Sequence, residues 1–73
     1  MDLRKTFGQN VRRLREQTGM AQEKFALEHG FDRTYISGIE RGIRNPTLLI
    51  VERLATALGV EPMVLFETHE HKR

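Results

Sequence analysis

The strongest constraint in this sequence is a connection of three residues, Gly-Phe-Asp at 30–32, between two segments with helical patterns. The first segment ends near His29, and the second spaces Ile36 and Ile39 three residues apart, as one face of a helix requires. A turn this short that contains a glycine makes two helices cross at a steep angle. We therefore expect an all-helical protein with this helix pair at its centre.

Apolar residues recur at helical spacing in two longer segments, and a proline begins another helix near the C-terminus. Thr47 can cap the fourth helix, and Pro62 suits the first turn of the fifth, where a missing N–H does no harm. The inward stripes are Leu3, Phe7, Val11 and Leu14 in the first helix and Leu48, Val51, Leu54, Ala55 and Leu58 in the fourth. The sequence predicts a compact, all-α domain of five helices, residues 1–67, and a polar, disordered tail, residues 68–73.

Composition narrows the class of protein further. The 73 residues contain no cysteine, so disulfides and thiolate metal sites are excluded and the chain suits a reducing cytoplasm. No apolar run approaches the roughly 20 residues of a membrane span, and the N-terminus lacks the apolar core of a signal peptide. We expect a cytoplasmic protein with no membrane partner. A domain this small buries only about 60% of its unfolded surface, so association with a second copy would support it.

Nothing in the order of the residues suggests catalysis or a bound cofactor. Serines, threonines and acids are present, but they form no nucleophile–base set and no phosphate-binding loop. His69 and His71 form a His-x-His pair in the tail, where the lack of cysteine and of a rigid element argues against a metal site. We expect neither an enzyme nor a cofactor.

The basic residues are concentrated in two regions, although the net charge is only +2. Residues 1–17 contain five basic and two acidic side chains, and residues 33–44 contain three arginines and one glutamate. Such clusters can attract a polyanion through their local field, whereas the simpler alternative is ordinary solvated charge.

The outer face of the third helix has side chains that can read DNA. When its two isoleucines point to the core, Thr34, Ser37, Gly38 and Arg41 lie on the opposite side, and Arg33 projects from the first turn. Arginine can bond guanine O6 and N7 together, and threonine can bond a base edge or contact a thymine methyl group. Glycine at position 38 would let a partner approach the backbone closely. We expect this helix to enter the major groove of double-stranded DNA.

Residues 14–60, "LREQTGMAQEKFALEHGFDRTYISGIERGIRNPTLLIVERLATALGV", resemble the lambda-repressor-like (Cro/C1-type, or XRE) helix-turn-helix family. The matching positions, in order, are Leu14, Arg15, Gln22, Phe25, Ala26, Gly30, Ile36, Ile39, Glu40, Arg41, Gly42, Pro46, Ala57, Leu58, Gly59 and Val60. Within the family, "DRTYISGIERGIRNPTL" on a chain of this length is most similar to controller proteins of restriction–modification systems. That resemblance implies a transcription regulator of its own operon, which activates at low occupancy of tandem sites and represses at higher occupancy.

The resemblance also implies roles for individual residues. Base contacts are expected from Arg33, Thr34 and Ser37, and contacts to the DNA backbone from Gln22, Tyr35, Arg41, Arg44 and Asn45. Arg15 and Glu40 match an ion pair that links the first helix to the third. Two positions depart from the family: Ala21 replaces the usual serine or threonine cap, and His29 replaces an apolar residue. For Tyr35 the alternative is simple packing at the edge of its helix.

Four apolar residues near the C-terminus suggest a dimer interface. On the wheel of the fourth helix Leu49 and Ile50 lie opposite the core stripe, and Met63 and Phe66 are close in sequence. An exposed apolar patch is more often an interface than an accident, although these residues could instead cover the core. A two-fold homodimer would place two recognition helices roughly 34 Å apart, which matches a palindromic operator. RNA polymerase is a further candidate partner.

Three other functions remain open from the sequence. A prophage-type repressor or an antitoxin could have the same fold, and the neighbouring gene would distinguish these from a restriction–modification controller. A protein-interaction module of this fold would have no affinity for DNA.

Overall fold

The computed structural model describes residues 2–68, which contain four α-helices and one 3₁₀ helix and no strand. The helices are α1 (Leu3–Gln17), α2 (Gln22–His29), α3 (Arg33–Glu40) and α4 (Leu48–Leu58), and the 3₁₀ helix is Pro62–Phe66. The expected all-helical fold is confirmed. The expected tail lies almost wholly outside the described residues, as do His69 and His71, so the boundary at residue 67 stays a prediction. In residues 2–68 no helix combines the length and the apolarity needed to cross a membrane.

The prediction of five α-helices is wrong, because the last element is a single short 3₁₀ helix. Its bonds join residues three apart: the Val64 N–H donates to Glu61, and the Glu67 N–H donates to Val64. A segment of five residues can form very few of the i→i−4 backbone hydrogen bonds that stabilise an α-helix. Segments this short often form 3₁₀ helices instead. A side chain of α1 also binds the carbonyl groups at the end of this element.

Local caps and glycines fix the ends of the α-helices, and Thr47 caps α4 as predicted. The side chains of Asp32 and Thr47 accept hydrogen bonds from backbone N–H groups in the first turns of α3 and α4. Gly30 and Gly59 end α2 and α4 in the left-handed conformation, with φ of 75° and 72°. Ala21 precedes α2 without a side-chain cap bond, as expected from its side chain. These ends fix the lengths of the connections, including the three-residue turn between α2 and α3.

The core is formed by side chains from all four α-helices and from the 3₁₀ helix. The fully buried large side chains are Phe7, Val11, Phe25, Ile36, Ile39, Leu54 and Leu65. Gly8 lets α1 approach the end of α3, because a methyl group at this position would collide with the carbonyl oxygens of Ile39 and Glu40. The inner face of α3 is therefore held against α1, while its opposite face remains available to solvent.

Two expectations about α4 were wrong. Leu48 does not point inward: it is 85% exposed, because it is the first residue of the helix and the stripe that packs on the core begins at Val51. Ile50 is not exposed like its neighbour, because it is half-buried and packs against the core cluster. Leu49, which is 64% exposed, keeps the position that the helical wheel predicts.

Asn10 connects α1 to the C-terminal segment. Its side chain is buried, and its amide nitrogen donates to the carbonyl oxygens of Leu65 and Glu67 at 2.9 and 2.8 Å. The amide oxygen accepts a hydrogen bond from Arg13 at 3.1 Å. Because a buried amide is favourable only when it is fully bonded, this set of bonds fixes the 3₁₀ helix against α1.

We expect Asn10→Ala to lower the free energy of unfolding by about 1–3 kcal/mol, the usual cost of leaving buried polar groups without a partner. Urea unfolding followed by circular dichroism measures this change. Gln9→Ala, at the exposed neighbouring position of the same helix, is the matched control and should change stability by less than about 0.5 kcal/mol. Equal effects of the two substitutions would contradict this role for Asn10.

Candidate nucleic-acid interface

One face of α3 presents a row of polar side chains to solvent. Arg33, Thr34 and Arg41 are exposed, Ser37 is half-buried, and Ile36 on the other side of the helix is fully buried. The carboxylate of the preceding aspartate accepts a 2.7 Å hydrogen bond from the backbone N–H of Thr34, which fixes the start of the helix. The structure thus brings the predicted reading residues together on a rigid element whose orientation is set by the core.

Arg15 and Glu40 form a buried ion pair between α1 and α3. Arg15 Nε and a second guanidinium nitrogen bind the two carboxylate oxygens at 2.6 and 3.0 Å, with only 8% and 2% of the two side chains exposed. A third guanidinium nitrogen donates to the carbonyl oxygen of Met20 at 2.7 Å. This bidentate geometry is what allows two charges to remain out of water.

The pairing keeps Arg15 charged. The hydrogen bonds to Glu40 raise the pKa of the guanidinium above its ordinary value, and the attraction of the carboxylate adds to them, against the opposing effect of burial. A cation whose pKa is raised by folding stabilises the fold at every pH below its unfolded pKa, and the unfolded pKa of arginine lies far above neutrality. The contribution is therefore present throughout the neutral range.

The same carboxylate also holds Gln22, the first residue of α2. The amide nitrogen of Gln22 donates to Glu40 Oε1 at 2.9 Å, so this carboxylate accepts three hydrogen bonds from two helices. An amide nitrogen has two N–H groups, and the bond to Glu40 uses one of them. The side chain is half-buried and its orientation relative to α3 is fixed. The second N–H can therefore be presented beside the backbone amides at the start of α2.

Gly38 has a different role from the one predicted. It is buried, and a methyl group there would come within 2.8 Å of Arg44 Cγ, so the stem of the Arg44 side chain occupies the space that a DNA partner was expected to take. The guanidinium carbon of Arg44 lies 5.2 Å from the ring centroid of Tyr35, within cation–π distance. Asn45 is exposed beside it. Tyr35 and Arg44, two of the predicted backbone-contacting residues, thus lie together at one edge of α3.

The predicted interface residues differ in exposure. Leu49 and Met63 are 64% and 73% exposed, whereas Ile50 is half-buried. Phe66 is partly exposed, and its ring centroid lies 5.3 Å from that of Phe7. Because α4 packs on the 3₁₀ helix, the two segments that carry these residues are neighbours in space.

Two side chains that connect separate elements, those of Asn10 and Arg53, were not identified from the sequence. Asn10 falls at the same helical spacing as Phe7 and Leu14, so a polar residue on an apolar face was a signal that could have been used. Arg53 of α4 binds the turn between α2 and α3, and only a tertiary contact places it there. Within residues 2–68 no cluster of histidine, aspartate or glutamate could hold a metal ion.

Comparison with known proteins identifies relatives over most of the chain. The family model described as helix-turn-helix matches residues 11–65. The chain is 48% identical over 67 residues to the control protein C.BamHI of Bacillus amyloliquefaciens, a match that covers 90% of this chain and 83% of that protein. The resemblance expected from the sequence is confirmed.

Solved structures are similar to the whole fold. The crystal structure of the restriction-modification controller protein C.AhdI from Aeromonas hydrophila has a TM-score of 0.79 and 48% identity, covering 86% of this chain and 91% of that one. The controller protein C.Esp1396I, whose crystal structure is a tetramer in complex with its natural 35 base-pair operator, has a TM-score of 0.78 and 38% identity. That match covers 90% of this chain and 87% of C.Esp1396I.

We expect Glu40→Gln to lower the melting temperature strongly, because it leaves the Arg15 cation buried without its counter-charge. Removing one partner of a buried pair costs about 3–5 kcal/mol, and glutamine, which keeps one acceptor oxygen, should lie at the lower end of that range. Thermal unfolding measures the loss. Glu52→Gln removes an exposed carboxylate from α4 and is the matched control, for which little change is expected. A similar melting temperature for both variants would show that the pair contributes nothing.

Proposed function

This chain belongs to the helix-turn-helix family, and from that premise we propose that it is a sequence-specific DNA-binding regulator of transcription. More narrowly, we propose that it is the controller protein of a restriction–modification system and acts in the cytoplasm on its own operon. The observation that carries the proposal is the exposed polar face of α3, formed by Arg33, Thr34, Ser37 and Arg41 on a helix whose other face is buried. Similarity to control proteins over about nine-tenths of the chain supports the narrower statement.

Base readout falls to the N-terminal half of α3. Arg33 can bind O6 and N7 of a guanine with two parallel N–H groups, and Thr34 is placed beside it to bond a base edge or contact a thymine methyl group. Ser37, which is half-buried, follows one turn later on the same face. Each good bidentate contact gives about 1–3 kcal/mol of discrimination against a wrong base.

Contacts to phosphate position this helix in the groove. Gln22 has one amide N–H held by Glu40 and a second N–H for a phosphate oxygen, beside the free N–H groups at the start of α2. Arg44 and Tyr35, which lie against one another, are the candidates on the other edge of α3. Arg41 and Asn45 complete the proposed contacts to the DNA backbone. These contacts carry little sequence information, but they fix the register in which the bases are read.

A homodimer would bring two such surfaces to one operator. Leu49 and Met63 are exposed enough to form the centre of the interface, and Ile50 and Phe66 would support them from their partly buried positions. A two-fold axis would relate the two α3 helices and match a palindrome whose half-sites are about one helical turn apart. The tetramer of C.Esp1396I on its 35 base-pair operator supports binding of two dimers to tandem sites. Contact with RNA polymerase at low occupancy would then give activation before repression.

Two substitutions can distinguish contacts to bases from contacts to the DNA backbone. Arg33→Ala is expected to remove about 1–3 kcal/mol of discrimination at one operator position, whereas Gln22→Ala should weaken binding to all sequences alike. Binding to a set of operators with single base changes, measured at one salt concentration, distinguishes these results. Equal losses across the whole set for Arg33→Ala would refute the base contact, and absence of any preference in the unmodified protein would refute the proposed function.

The interface can be tested with Leu49→Glu, which should give a folded monomer at micromolar concentration. Each buried leucine contributes about 1.5–3 kcal/mol, and a charge at this position would have to be buried twice in a two-fold dimer. Leu49 is a better target than half-buried Ile50, whose replacement by glutamate would also perturb the core. Leu27→Glu, at an 82% exposed leucine of α2, is the matched control. Sedimentation that shows the Leu49→Glu dimer intact would place the interface elsewhere, for example along α1.

A further inference from the structure

Arg53 of α4 reaches across to the turn between α2 and α3. One of its terminal guanidinium nitrogens lies 3.3 Å from the carbonyl oxygen of His29 and 3.2 Å from that of Gly30. The guanidinium carbon lies 4.3 Å from the ring centroid of Phe31, the central residue of the turn. Arg53 of α4 therefore contacts three consecutive residues, 29–31, at the junction of α2 and α3.

The carbonyl groups that Arg53 binds are those that a helix end leaves without a partner. The last turn of α2 closes through the N–H groups of Gly30 and Phe31, which both donate to Ala26, and the carbonyl groups that follow point out of the helix. A cation there also faces the negative end of the helix dipole. Arg53 thus supplies from another helix the bonds that would otherwise come from water.

The contact with Phe31 adds a second constraint on the turn. Phe31 is half-buried, and its ring is nearly parallel to that of the buried Phe25, with 3° between the planes and 6.5 Å between the centroids. The guanidinium of Arg53 covers Phe31, at a distance where cation–π attraction is effective. The aromatic residue that fills the corner is therefore packed against α2 and also contacted by α4.

We propose that Arg53 is a positioning residue for operator recognition, which fixes the angle between α2 and α3 and ties it to the helix of the dimer interface. This inference rests on the proposed function. Gln22, the phosphate-binding candidate, is on α2, and the reading residues are on α3, so the turn between them sets their relative placement. Leu49 lies one turn before Arg53 on α4, and Ile50 lines the same surface depression as Arg53 and Phe31. The Arg53 side chain therefore connects the proposed dimer interface on α4 to the orientation in which α3 would contact bases.

Loss of the Arg53 side chain should reduce discrimination between operator and other DNA more than it reduces overall affinity for DNA. Paired hydrogen bonds to a base edge weaken steeply when donor and acceptor are misaligned. Attraction between basic side chains and phosphates depends mainly on charge and salt, and it tolerates a small rotation of α3. Because Arg53 and the carbonyl groups it binds are exposed, its loss should also change the melting temperature only slightly.

The test compares Arg53→Met with Arg12→Met, an exposed arginine of α1 whose loss removes the same charge. Affinity is measured for an operator selected from random DNA and for a scrambled duplex at the same salt concentration. We expect Arg53→Met to reduce the ratio of the two affinities about tenfold, the equivalent of one weakened base contact. Arg12→Met should leave this ratio unchanged, and Arg53→Lys should restore part of it. An unchanged ratio for Arg53→Met would overturn the proposal.

A second measurement does not depend on DNA. Amide hydrogen exchange at Gly30 and Phe31 should become faster in Arg53→Met than in Arg12→Met, while exchange at Val11 in the core stays the same in both. If the unmodified protein showed no preference for any duplex, the proposed function would fail, and this exchange would still decide whether Arg53 holds the turn. Equal exchange at the turn in the two variants would overturn the role of Arg53 in either case.

Discussion

The rest of the structure depends on the carboxylate of Glu40, where hydrogen bonds from two other helices meet. Arg15 of α1 supplies two of these bonds and Gln22 of α2 supplies the third. Moving two charges out of water is unfavourable unless their geometry is good and their remaining bonding positions are filled, and here both conditions hold. Few other positions of the three helices would keep all of these bonds, so the carboxylate fixes α1, α2 and α3 relative to one another. The exposed face of α3 and the start of α2 take their relative positions from this one buried group.

The other half of the molecule is arranged around α4 and the C-terminal segment. Asn10 holds the 3₁₀ helix through two backbone carbonyl groups, and Arg53 holds the turn between α2 and α3 in the same way. The two differ in burial, so they act on different properties. Loss of the buried Asn10 bonds should affect stability, whereas loss of the exposed Arg53 bonds should affect the alignment of α3 with α2. A 73-residue chain without disulfides thus uses side chains bound to backbone carbonyl groups, in addition to its small core, to fix these two segments.

Much of this organisation could be predicted from the sequence, because local chemistry decides it. Caps such as Asp32 and glycines such as Gly30 act within one turn of the helix they end, so the helix boundaries were predictable. The approach of Arg15 to Glu40 spans 25 positions, and only the family resemblance indicated it. Single helical wheels could not show that Ile50 packs on the core, because that depends on which elements lie beside α4. Gly38 was misjudged for the same reason, since the side chain of Arg44 occupies its outer side.

We propose that the exposed face of α3 enters the major groove twice in each complex, at two sites related by two-fold symmetry. Methylation interference at guanine N7, on an operator selected from random DNA with the unmodified protein, tests this claim most directly. We expect two symmetric groups of sensitive guanines with centres about 10 base pairs apart. Selection that enriches no sequence, or interference confined to adenine N3 in the minor groove, would contradict it.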